Sequence, residues 1–370
     1  MNFSNFTDIE TPALLIEKSV LEQNISEMQT HIDKYNISLR PHIKTHKSTY
    51  LAQKQIEAGA VGIACAKSSE AEIFADAGFR DIQIPNIIIG REKIERLLRI
   101  SESVDRLTCC IDSFESARAL SDVFAEAERE VDILMLVDCG YGRCGLNEFD
   151  EILKLAQISG AMPGLNFKGI TTHAGHAYSS ESPEQTKEIG MAEGHFMADL
   201  GERLRDEGVN IEEIVPGSNP TAKFCSTVDG VTGIRSGNYI FNDMIQVALG
   251  TVPLERCALS VLATVISTPT ADRAILDSGS KTMSSDKGGH GNDNVIGHGF
   301  ILDKETHLSK LSEEHGIVLH DEGIIFGIGD KIRIVPNHAC TTVNNFDFAY
   351  IVDGEDIVDV IEISARGCIY

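Results

Sequence analysis

The stretch LRPHIKTHKS (residues 39–48) begins with the pattern of a buried strand and ends in basic side chains. It is the first of eight short, apolar, β-branched runs, and helix-like segments fill most of the gaps between them. Eight buried strands that alternate with helices over about 200–250 residues predict a (β/α)8 TIM barrel. A doubly wound parallel sheet is the structural alternative, because periodicity alone does not show that a sheet closes. The eight predicted strands are 39–44, 61–66, 81–86, 106–112, 132–138, 167–173, 213–219 and 230–238.

The pattern changes at about residue 251, where strand-like runs separated by Gly and Asp replace the alternation of strands and helices. No long amphipathic helix is evident after that point, which predicts an antiparallel β domain. We therefore predict a barrel over residues 18–250 and a β domain over residues 251–370. The early run TPALLIE (11–17) precedes the first barrel helix, so residues 1–17 are assigned to the β domain as well.

The charge of the chain excludes several classes of function as first hypotheses. Its 370 residues include 32 basic and 56 acidic side chains, for a formal net charge of -24. A field of this sign repels nucleic acids and anionic membrane surfaces. No apolar run approaches the roughly 20 residues of a membrane span, and the first ten residues lack the basic start of a signal peptide. Nine scattered cysteines fit reduced thiols, so we predict a cytoplasmic protein.

Polar side chains follow the predicted strands at the end where a barrel carries its catalytic groups. Lys44 ends the first strand, and the loop DCGYGRCG after the fifth strand contains Arg143. His173 ends the sixth strand, with Tyr178 shortly after it. These side chains are therefore expected at one rim of the barrel.

Two turn-forming loops follow the seventh and eighth strands: Gly217-Ser218-Asn219 and Ser236-Gly237-Asn238. Barrels often bind phosphate with the loops at these two places, through backbone N–H groups and hydroxyls. Composition alone favours two ordinary turns, and neither loop resembles a P-loop. The position of the loops is what makes an anion site a hypothesis.

Lys44 lies among Arg40, His42, His46 and Lys47 in the sequence. Nearby like charges disfavour the protonated amine and lower its pKa, which makes the amine a better nucleophile or base. A phosphate-bearing cofactor would offset the charge of this cluster. The alternative is a solvated basic turn. The strand that precedes the cluster has the pattern of a buried strand, and this weakens that alternative.

The segment PNHACTT offers a possible metal site through His338 and Cys340. Residues two positions apart share one face of an extended backbone, and an imidazole with a thiolate suits zinc. An H-x-C pair is a weak signal by itself, and a core cysteine beside a surface histidine is the alternative. His298 and His315 could also approach such a metal. Otherwise the histidines of the turn-rich region are interpreted as surface residues: His290, His298, His307, His315 and His320.

Several motifs together resemble one enzyme family. They are RPHIKTHKS, DCGYGRCG, THAGHAY, GSNPT, RSGNYIFND, EEHGI and PNHAC. The chain resembles the fold-type III pyridoxal-phosphate enzymes of the D-threonine aldolase and D-serine dehydratase group, relatives of alanine racemase. The motifs run in the family's order over nearly the whole chain. One departure is GSNPT where the family pattern has GSTPT, so the contact at Asn219 changes.

The resemblance implies roles for the rim residues around pyridoxal 5'-phosphate. Lys44 would form a Schiff base with the cofactor, Arg143 would approach its phenolic oxygen, and His173 would lie beneath its ring. Tyr178 is the implied partner of the ring nitrogen. The implied phosphate contacts are Ser218, Asn219, Gly237 and Asn238.

The resemblance also implies a divalent metal at His338 and Cys340, beside the substrate. In this group a cysteine ligand accompanies zinc and dehydratases, whereas a carboxylate accompanies manganese or magnesium and aldolases, as ligand hardness would favour. Cys340 therefore favours dehydration of a 3-hydroxy-D-amino acid, D-serine or 3-hydroxyaspartate, to a 2-keto acid and ammonia. Retro-aldol cleavage to glycine and an aldehyde is the alternative. A homodimer is expected by analogy.

Two other classes stay open. A non-catalytic carrier of pyridoxal phosphate shares the barrel but lacks a β domain, whereas this chain continues for more than 100 residues after the predicted barrel. A metal-independent racemase needs a second base, usually a tyrosine from the β domain. After the barrel only Tyr350 and Tyr370 are present, and neither lies in a recognisable motif.

Overall fold

The computed structural model describes residues 5–288, 292, 294–321 and 323–370. Its strands are β1 (Ala13–Glu17), β2 (Ser38–Leu39), β3 (Ile63–Ala64), β4 (Asp81–Ile87), β5 (Arg106–Ile111), β6 (Val131–Leu136), β7 (Leu165–Thr171), β8 (Glu213–Val215), β9 (Gly233–Ile234), β10 (Leu259–Thr270), β11 (Arg273–Leu276), β12 (Gly299–Ile301), β13 (Thr306–His307), β14 (Lys310–Leu311), β15 (Gly316–Leu319), β16 (Lys331–Pro336), β17 (Phe348–Asp353) and β18 (Asp356–Glu362). Its helices are α1 (Lys18–Asp33), α2 (Thr49–Glu57), α3 (Ser68–Asp76), α4 (Arg91–Ser103), α5 (Phe114–Glu126), α6 (Phe149–Gly160), α7 (Pro183–Asp206), α8 (Ala222–Cys225), α9 (Met244–Ala248), α10 (Ser280–Met283) and α11 (Ala339–Val343).

Strands β2 to β9 form a closed ring of eight parallel strands. β3 to β8 pair in chain order as a six-stranded parallel sheet, and β2 pairs in parallel with β9. The two sheets are joined by backbone hydrogen bonds from Ala64 to the Pro41 carbonyl and from Thr232 to the Ile214 carbonyl, each 2.9 Å long. The predicted barrel is therefore confirmed, and the doubly wound alternative is wrong.

The first strand is shorter than predicted. It ends at Leu39, and Ile43–Thr45 form a turn of 3-10 helix, so Lys44 lies just beyond the strand. Pro41 has no N–H to donate to a neighbouring strand, which prevents the regular ladder from continuing. The same explanation applies to Pro216 after β8.

A second sheet contains most of the remaining strands. Its order is β13-β12-β16-β10-β1-β17-β18, and β11, β14 and β15 attach through β10. β1 pairs antiparallel with β10 and parallel with β17, so the early strand belongs to this sheet. Every other pair in the sheet is antiparallel.

Each sheet has its own hydrophobic core. Ile84, Cys109 and Ile133 are buried inside the larger cluster around the barrel, whereas Leu14 and Val261 belong to the cluster of the second sheet. Strands covered on both faces need continuous apolar runs, which is why the barrel strands could be recognised in the sequence. Among the described residues, no helix combines the length and the apolar character needed to cross a bilayer.

Candidate active site

A cavity of about 710 Å³ lies where the carboxyl ends of the barrel strands face the second sheet. All of the site residues predicted from the sequence line it: Lys44, Arg143, His173, Tyr178, Ser218, Asn219, Gly237, Asn238, His338 and Cys340. Eight of them come from barrel loops, and the last two follow β16 of the second sheet. The geometry brings the predicted residues together, while their individual roles stay predictions.

Lys44 extends into this cavity. Its side chain is accessible inside the cavity, whose walls come from the barrel loops and from the loop after β16. Burial is the main reason that the pKa of Lys44 is lowered, and the charges of Arg143 and Arg235 add to the effect. The charges of Cys340 and Glu70 oppose it.

The direction of the Lys44 shift agrees with the sequence argument, but its cause differs. The predicted source was the basic cluster around Lys44. Arg40 is paired with Asp81 at 2.7 Å, and Lys47 with Glu70 at 3.5 Å. These cations are therefore offset by carboxylates and are buried, so the cluster is not a solvated basic turn.

The two histidines of the cluster are buried and neutral. Burial is the largest cause that lowers the pKa of His42 well below its usual value, and Lys44 adds to it. Burial also lowers the pKa of His46 to about 4, although a hydrogen bond to Gln55 opposes the shift. Neither imidazole contributes positive charge at neutral pH.

The loop that carries Arg143 is organised by Asp138. One Asp138 oxygen accepts the backbone N–H groups of Gly140 and Tyr141 at 3.0 and 2.8 Å, and the other accepts that of Gly142 at 2.9 Å. The Arg143 guanidinium lies 5.3 Å from the centre of the Tyr141 ring. This arrangement presents the guanidinium to the cavity on a fixed turn.

His173 follows β7 in the wall of the same cavity. Its ring meets the Tyr141 ring edge-on, with centroids 6.0 Å apart. An edge-to-face contact fixes the plane of an aromatic ring. The Tyr141 ring therefore contacts both the Arg143 guanidinium and the His173 ring and helps to fix their positions.

The loop at 217–219 is held by a buried carboxylate. Glu193 of α7 accepts the backbone N–H of Gly217 at 2.9 Å, that of Ala174 at 3.2 Å and the hydroxyl of Thr221 at 2.6 Å. Burial raises the pKa of Glu193, and these hydrogen bonds oppose the shift. Gly217 has φ +116°, a conformation that favours glycine.

The loop at 236–238 packs against the turn that carries Lys44. A side chain at Gly237 would collide with the carbonyl oxygen of His42, so the close approach requires glycine. The Ser236 hydroxyl donates to the Asn219 side-chain oxygen at 2.7 Å, which links the loop at 236–238 to the loop at 217–219. The residue that departs from the family pattern is thus a cross-link between them.

Asp243 connects the barrel to the loop of the second sheet. One oxygen accepts the Asn238 side-chain amide at 2.7 Å and the Ala339 backbone N–H at 3.0 Å. The other oxygen accepts the backbone N–H of Gln246 at 3.3 Å. Burial raises the pKa of Asp243, while the His338 charge opposes the shift.

His338 and Cys340 contact each other, although not on an extended backbone as predicted. His338 is the N-cap of α11, and Cys340 lies in the first turn of that helix. Both side chains nevertheless line the same cavity, and the charge of each shifts the pKa of the other. The change of direction at the helix start brings the two side chains together, as the extended geometry would have done.

The surroundings shift the pKa of each group toward its charged form. Burial is the largest single influence on the pKa of the Cys340 thiol and raises it, but His338, Lys44 and Thr45 together outweigh burial and lower it. Burial lowers the pKa of His338, but the Cys340 charge and a 2.7 Å hydrogen bond between Nδ1 and Asp286 outweigh burial and raise it well above 6.5. A thiolate is the form of cysteine that binds metals.

Several functional residues were not predicted. Arg235 lines the cavity and is fully enclosed, with its guanidinium bonded to Thr171 Oγ1 at 3.0 Å and the Thr172 carbonyl at 2.6 Å. Arg235 belongs to the quoted motif RSGNYIFND. Its position at the end of the eighth predicted strand could have identified it as a site residue. Asp286 and Glu193 carried no such signal, because their partners are distant in sequence.

Tyr178 lies in the wall of the cavity, whereas the described histidines of the turn-rich region lie at various depths outside it. The Tyr178 hydroxyl is hydrogen-bonded to the Asn219 backbone, and burial raises its pKa. Of the histidines interpreted as surface residues, His315 is exposed, and the partly buried ones are His298, His307 and His320. His290 lies outside the described residues. Neither His298 nor His315 lines the cavity of about 710 Å³.

Comparison with known proteins identifies the family. The model of the alanine racemase N-terminal domain matches residues 16–243, and a serine dehydratase domain model matches residues 258–352. The chain is 32% identical over 363 residues to the D-threonine aldolase of Arthrobacter sp, and the aligned region covers 97% of this chain and 93% of that enzyme. The chain belongs to the D-threonine aldolase and D-serine dehydratase family.

Other relatives and solved structures of this family agree. The D-threo-3-hydroxyaspartate dehydratase of Delftia sp. (strain HT23) is 33% identical over 355 residues, covering 91% of this chain and 93% of that enzyme. The crystal structure of D-threonine aldolase from Filomicrobium marinum has a TM-score of 0.92 at 28% identity and covers 100% of this chain and 99% of its own. Alanine racemase from Bacillus anthracis shares the fold, with a TM-score of 0.69 at 14% identity.

The relatives are named for two reactions, aldol cleavage and dehydration, and both are lyase reactions. The prediction of a pyridoxal-phosphate-dependent lyase of this family is thereby confirmed. The carrier and racemase alternatives are set aside. Because identity to an aldolase (32%) and to a dehydratase (33%) is nearly equal, the choice between the reactions rests on the site.

Proposed function

We propose that the protein uses pyridoxal 5'-phosphate and a divalent metal, zinc, to dehydrate a small 3-hydroxy-D-amino acid. The substrate is D-serine or 3-hydroxy-D-aspartate, and the products are a 2-keto acid and ammonia. The observation that carries the proposal is the thiol of Cys340, which lines the cavity together with His338 and lies 3.3 Å from the hydroxyl of Thr45, next to Lys44.

The cavity fits pyridoxal phosphate in size and charge. Its volume of about 710 Å³ lies in the usual range for cofactor sites. A primary amine at Lys44 and two guanidiniums, Arg143 and Arg235, line it and suit an anionic aldehyde. Glycine-containing loops at 217–219 and 236–238 lie at the barrel positions that often bind phosphate.

The residues would hold the cofactor as follows. Lys44 would bind its aldehyde carbon, and Arg143 and His173 would contact its phenolic oxygen and its ring. Tyr178, which lines the cavity, is the proposed partner of the ring nitrogen. The proposed phosphate contacts are Ser218, Asn219, Gly237 and Asn238.

His338 and Cys340 fit a soft divalent metal such as zinc. Among the described residues no three His, Cys, Asp or Glu side chains are grouped to hold a metal, so these two would be the ligands that this part of the chain supplies. Asp286 fixes the orientation of His338 through Nδ1, as outer carboxylates do at metal sites. A D-threo-3-hydroxyaspartate dehydratase with a cysteine-to-alanine change was solved in a metal-free form, and a histidine-to-alanine variant of a dehydratase of that name is changed two positions earlier.

The side chains of this chain then have defined tasks. When bound, the cofactor withdraws electrons from the substrate α-carbon, and the metal favours departure of a hydroxyl. Lys44 Nζ, whose pKa is lowered mainly by burial, would act as the base that takes the α-proton of the substrate. Cys340 and His338, which follow the second sheet, would hold the metal.

Product analysis tests this proposal against aldol cleavage, which the similarity to D-threonine aldolase favours as the second candidate. Purified protein with pyridoxal phosphate and zinc is incubated with D-serine, D-threonine or 3-hydroxy-D-aspartate, and with L-serine as the stereochemical control. We expect a 2-keto acid and ammonia in equal amounts from the D-substrates. Glycine with an aldehyde as the only products would establish the aldolase instead.

Three further predictions belong to this proposal. We propose a homodimer and a cytoplasmic location, as expected from the family resemblance and from the composition of the chain. We also propose that residues 18–250 and residues 251–370 with 1–17 are its two domains. The pairing of β1 with β10 and β17 supports that assignment of the first residues.

A further inference from the structure

Lys47, three residues beyond Lys44, forms a buried ion pair with Glu70. Lys47 Nζ is 3.5 Å from Glu70 Oε1, and the two residues are 7% and 0% exposed. Burial raises the pKa of the Glu70 carboxyl, and the Lys47 charge opposes the shift. Because burying two charges costs more than packing apolar side chains of similar size, such a pair is weak evidence for stability and requires another explanation.

The second oxygen of Glu70 contacts the wall of the cavity. Glu70 lies in the first turn of α3, and its Oε2 accepts the backbone N–H of Ala66. Ala66 lines the cavity and belongs to the loop after β3. One carboxylate therefore connects two neighbouring rim loops, the one after β2 through Lys47 and the one after β3 through Ala66.

Lys47 closes the turn that carries Lys44. Its N–H donates to the Ile43 carbonyl at 2.7 Å, and it adopts φ +50°, an uncommon conformation for a residue other than glycine. Its Nζ also donates to the Cys368 carbonyl at 2.9 Å, while its own carbonyl accepts the Ala365 N–H at 2.9 Å. The Lys47 side chain thus has no alternative position without breaking several contacts.

We propose that Glu70 is a positioning residue for Lys44: through Lys47 it fixes the turn from Ile43 to Lys47, and through Ala66 it sets that turn against the cavity wall. This inference rests on the proposed function, in which Lys44 bonds to the cofactor. The carboxylate touches neither cofactor nor substrate. Its effect is to hold the Lys44 amine at the place where condensation with the cofactor aldehyde, with release of water, occurs.

Two variants separate positioning from folding stability. Glu70→Gln keeps an oxygen for Ala66 but leaves the Lys47 charge buried and unpaired. The double variant K47M/E70Q removes that unpaired charge, so it should recover unfolding stability relative to E70Q. Asp81→Asn is the matched control, because it breaks another half-buried ion pair of the same barrel segment, with Arg40, that does not reach the cavity.

The readout is formation of the covalent link, not turnover. Cofactor-free protein is mixed with pyridoxal phosphate and quenched with borohydride at intervals, and the fraction modified at Lys44 is measured by mass spectrometry. The visible circular dichroism of the bound cofactor reports its orientation. We expect both E70Q and K47M/E70Q to react slower by on the order of 10- to 100-fold, with altered dichroism, and D81N to match the unsubstituted protein.

The double variant decides the inference. If K47M/E70Q is modified at the unsubstituted rate and shows the same dichroism, the pair is structural and Glu70 has no positioning role. If the unsubstituted protein is never modified at Lys44, the proposed function itself is wrong, and this inference is lost with it. A slow double variant with recovered unfolding stability supports the inference.

Discussion

The thiol of Cys340 lies 3.3 Å from the hydroxyl of Thr45, so a side chain that follows the second sheet touches the residue next to Lys44. The proposed metal site and the proposed cofactor site are therefore adjacent, although Thr45 and Cys340 are 295 positions apart in the chain. Neither the barrel nor the sheet alone forms the site.

Lys44→Ala should abolish the covalent link to pyridoxal phosphate while the cavity remains. Because the loops at 217–219 and 236–238 are unchanged, the variant should still bind the cofactor noncovalently. The measurement is the visible absorbance of the bound cofactor before and after dialysis. Lys54→Ala, a change on the surface of α2, is the control, and persistence of the absorbance band in K44A would show that another residue holds the cofactor.

Cys340→Ala should lose the metal and keep the cofactor. Removal of a direct ligand should lower metal affinity by more than the roughly 10- to 100-fold that loss of an outer partner costs. Metal content is measured by elemental mass spectrometry, with cofactor absorbance recorded on the same sample. Cys257→Ala changes another partly buried thiol, which does not line the cavity, and should leave both values unchanged. Unchanged metal content in C340A would remove Cys340 from the site.

Asp243→Asn should weaken the connection between the barrel and α11. The carboxylate accepts both Asn238 Nδ2 and the Ala339 N–H, and an amide in its place presents one oxygen and one competing donor. Loss of a hydrogen bond to a charged group costs about 1.5–3 kcal/mol. We expect that decrease in the free energy of unfolding in urea, with weaker cofactor and metal binding. Loss of one affinity without the other would argue against Asp243 as the connection.

Asn219→Ala tests the residue that departs from the family pattern. Its side-chain oxygen accepts the Ser236 hydroxyl at 2.7 Å, and a single neutral hydrogen bond contributes about 0.5–1.5 kcal/mol. We therefore expect the dissociation constant of pyridoxal phosphate to rise by about 2- to 10-fold, measured by equilibrium dialysis. Asn219→Thr, which restores the family residue, should lie closer to the unsubstituted protein than alanine does. An alanine variant with unchanged affinity would show that the cross-link does not act on the phosphate.

His46 should make the stability of the protein depend on pH. Its pKa is about 4 in the folded state and 6.5 in the unfolded chain, so between these values the unfolded chain binds the proton first. The stabilisation from neutral His46 is complete above pH 6.5 and is lost as the pH falls to 4, by about 3 kcal/mol. His46→Gln lacks this group. The difference in unfolding free energy between the two proteins, measured in urea from pH 7 to pH 4, should shrink by that amount, and a constant difference would contradict the assignment.

Much of the fold could be predicted because parallel barrel strands are buried on both faces. The runs at residues 106–112 and 132–138 are mainly apolar between their charged ends, and β5 and β6 lie within them or one residue away. Strands next to Pro41 and Pro216 were predicted too long, since proline interrupts the hydrogen-bond ladder. The predicted site residues share one cavity because the carboxyl ends of parallel strands meet at one rim.

The supporting carboxylates could not be predicted. Glu70 and Glu193 lie on helices, where an acidic residue in the sequence reads as a solvent-facing position. Their burial depends on partners that only the folded chain brings close, such as Lys47 and the backbone of Gly217. Pattern analysis detects the side chains at strand ends, whereas the groups that orient them are known only from tertiary contacts.

The position of β1 has a consequence for synthesis of the chain on the ribosome. This early strand lies between β10 and β17, so its neighbours emerge only after most of the polypeptide has been translated. Until then Leu15 and Ile16 have no strand to pair with in the nascent chain, and contacts between distant segments form slowly. Chaperones that shield exposed hydrophobic strands should therefore bind the growing chain near its amino end and leave once residue 352 has emerged.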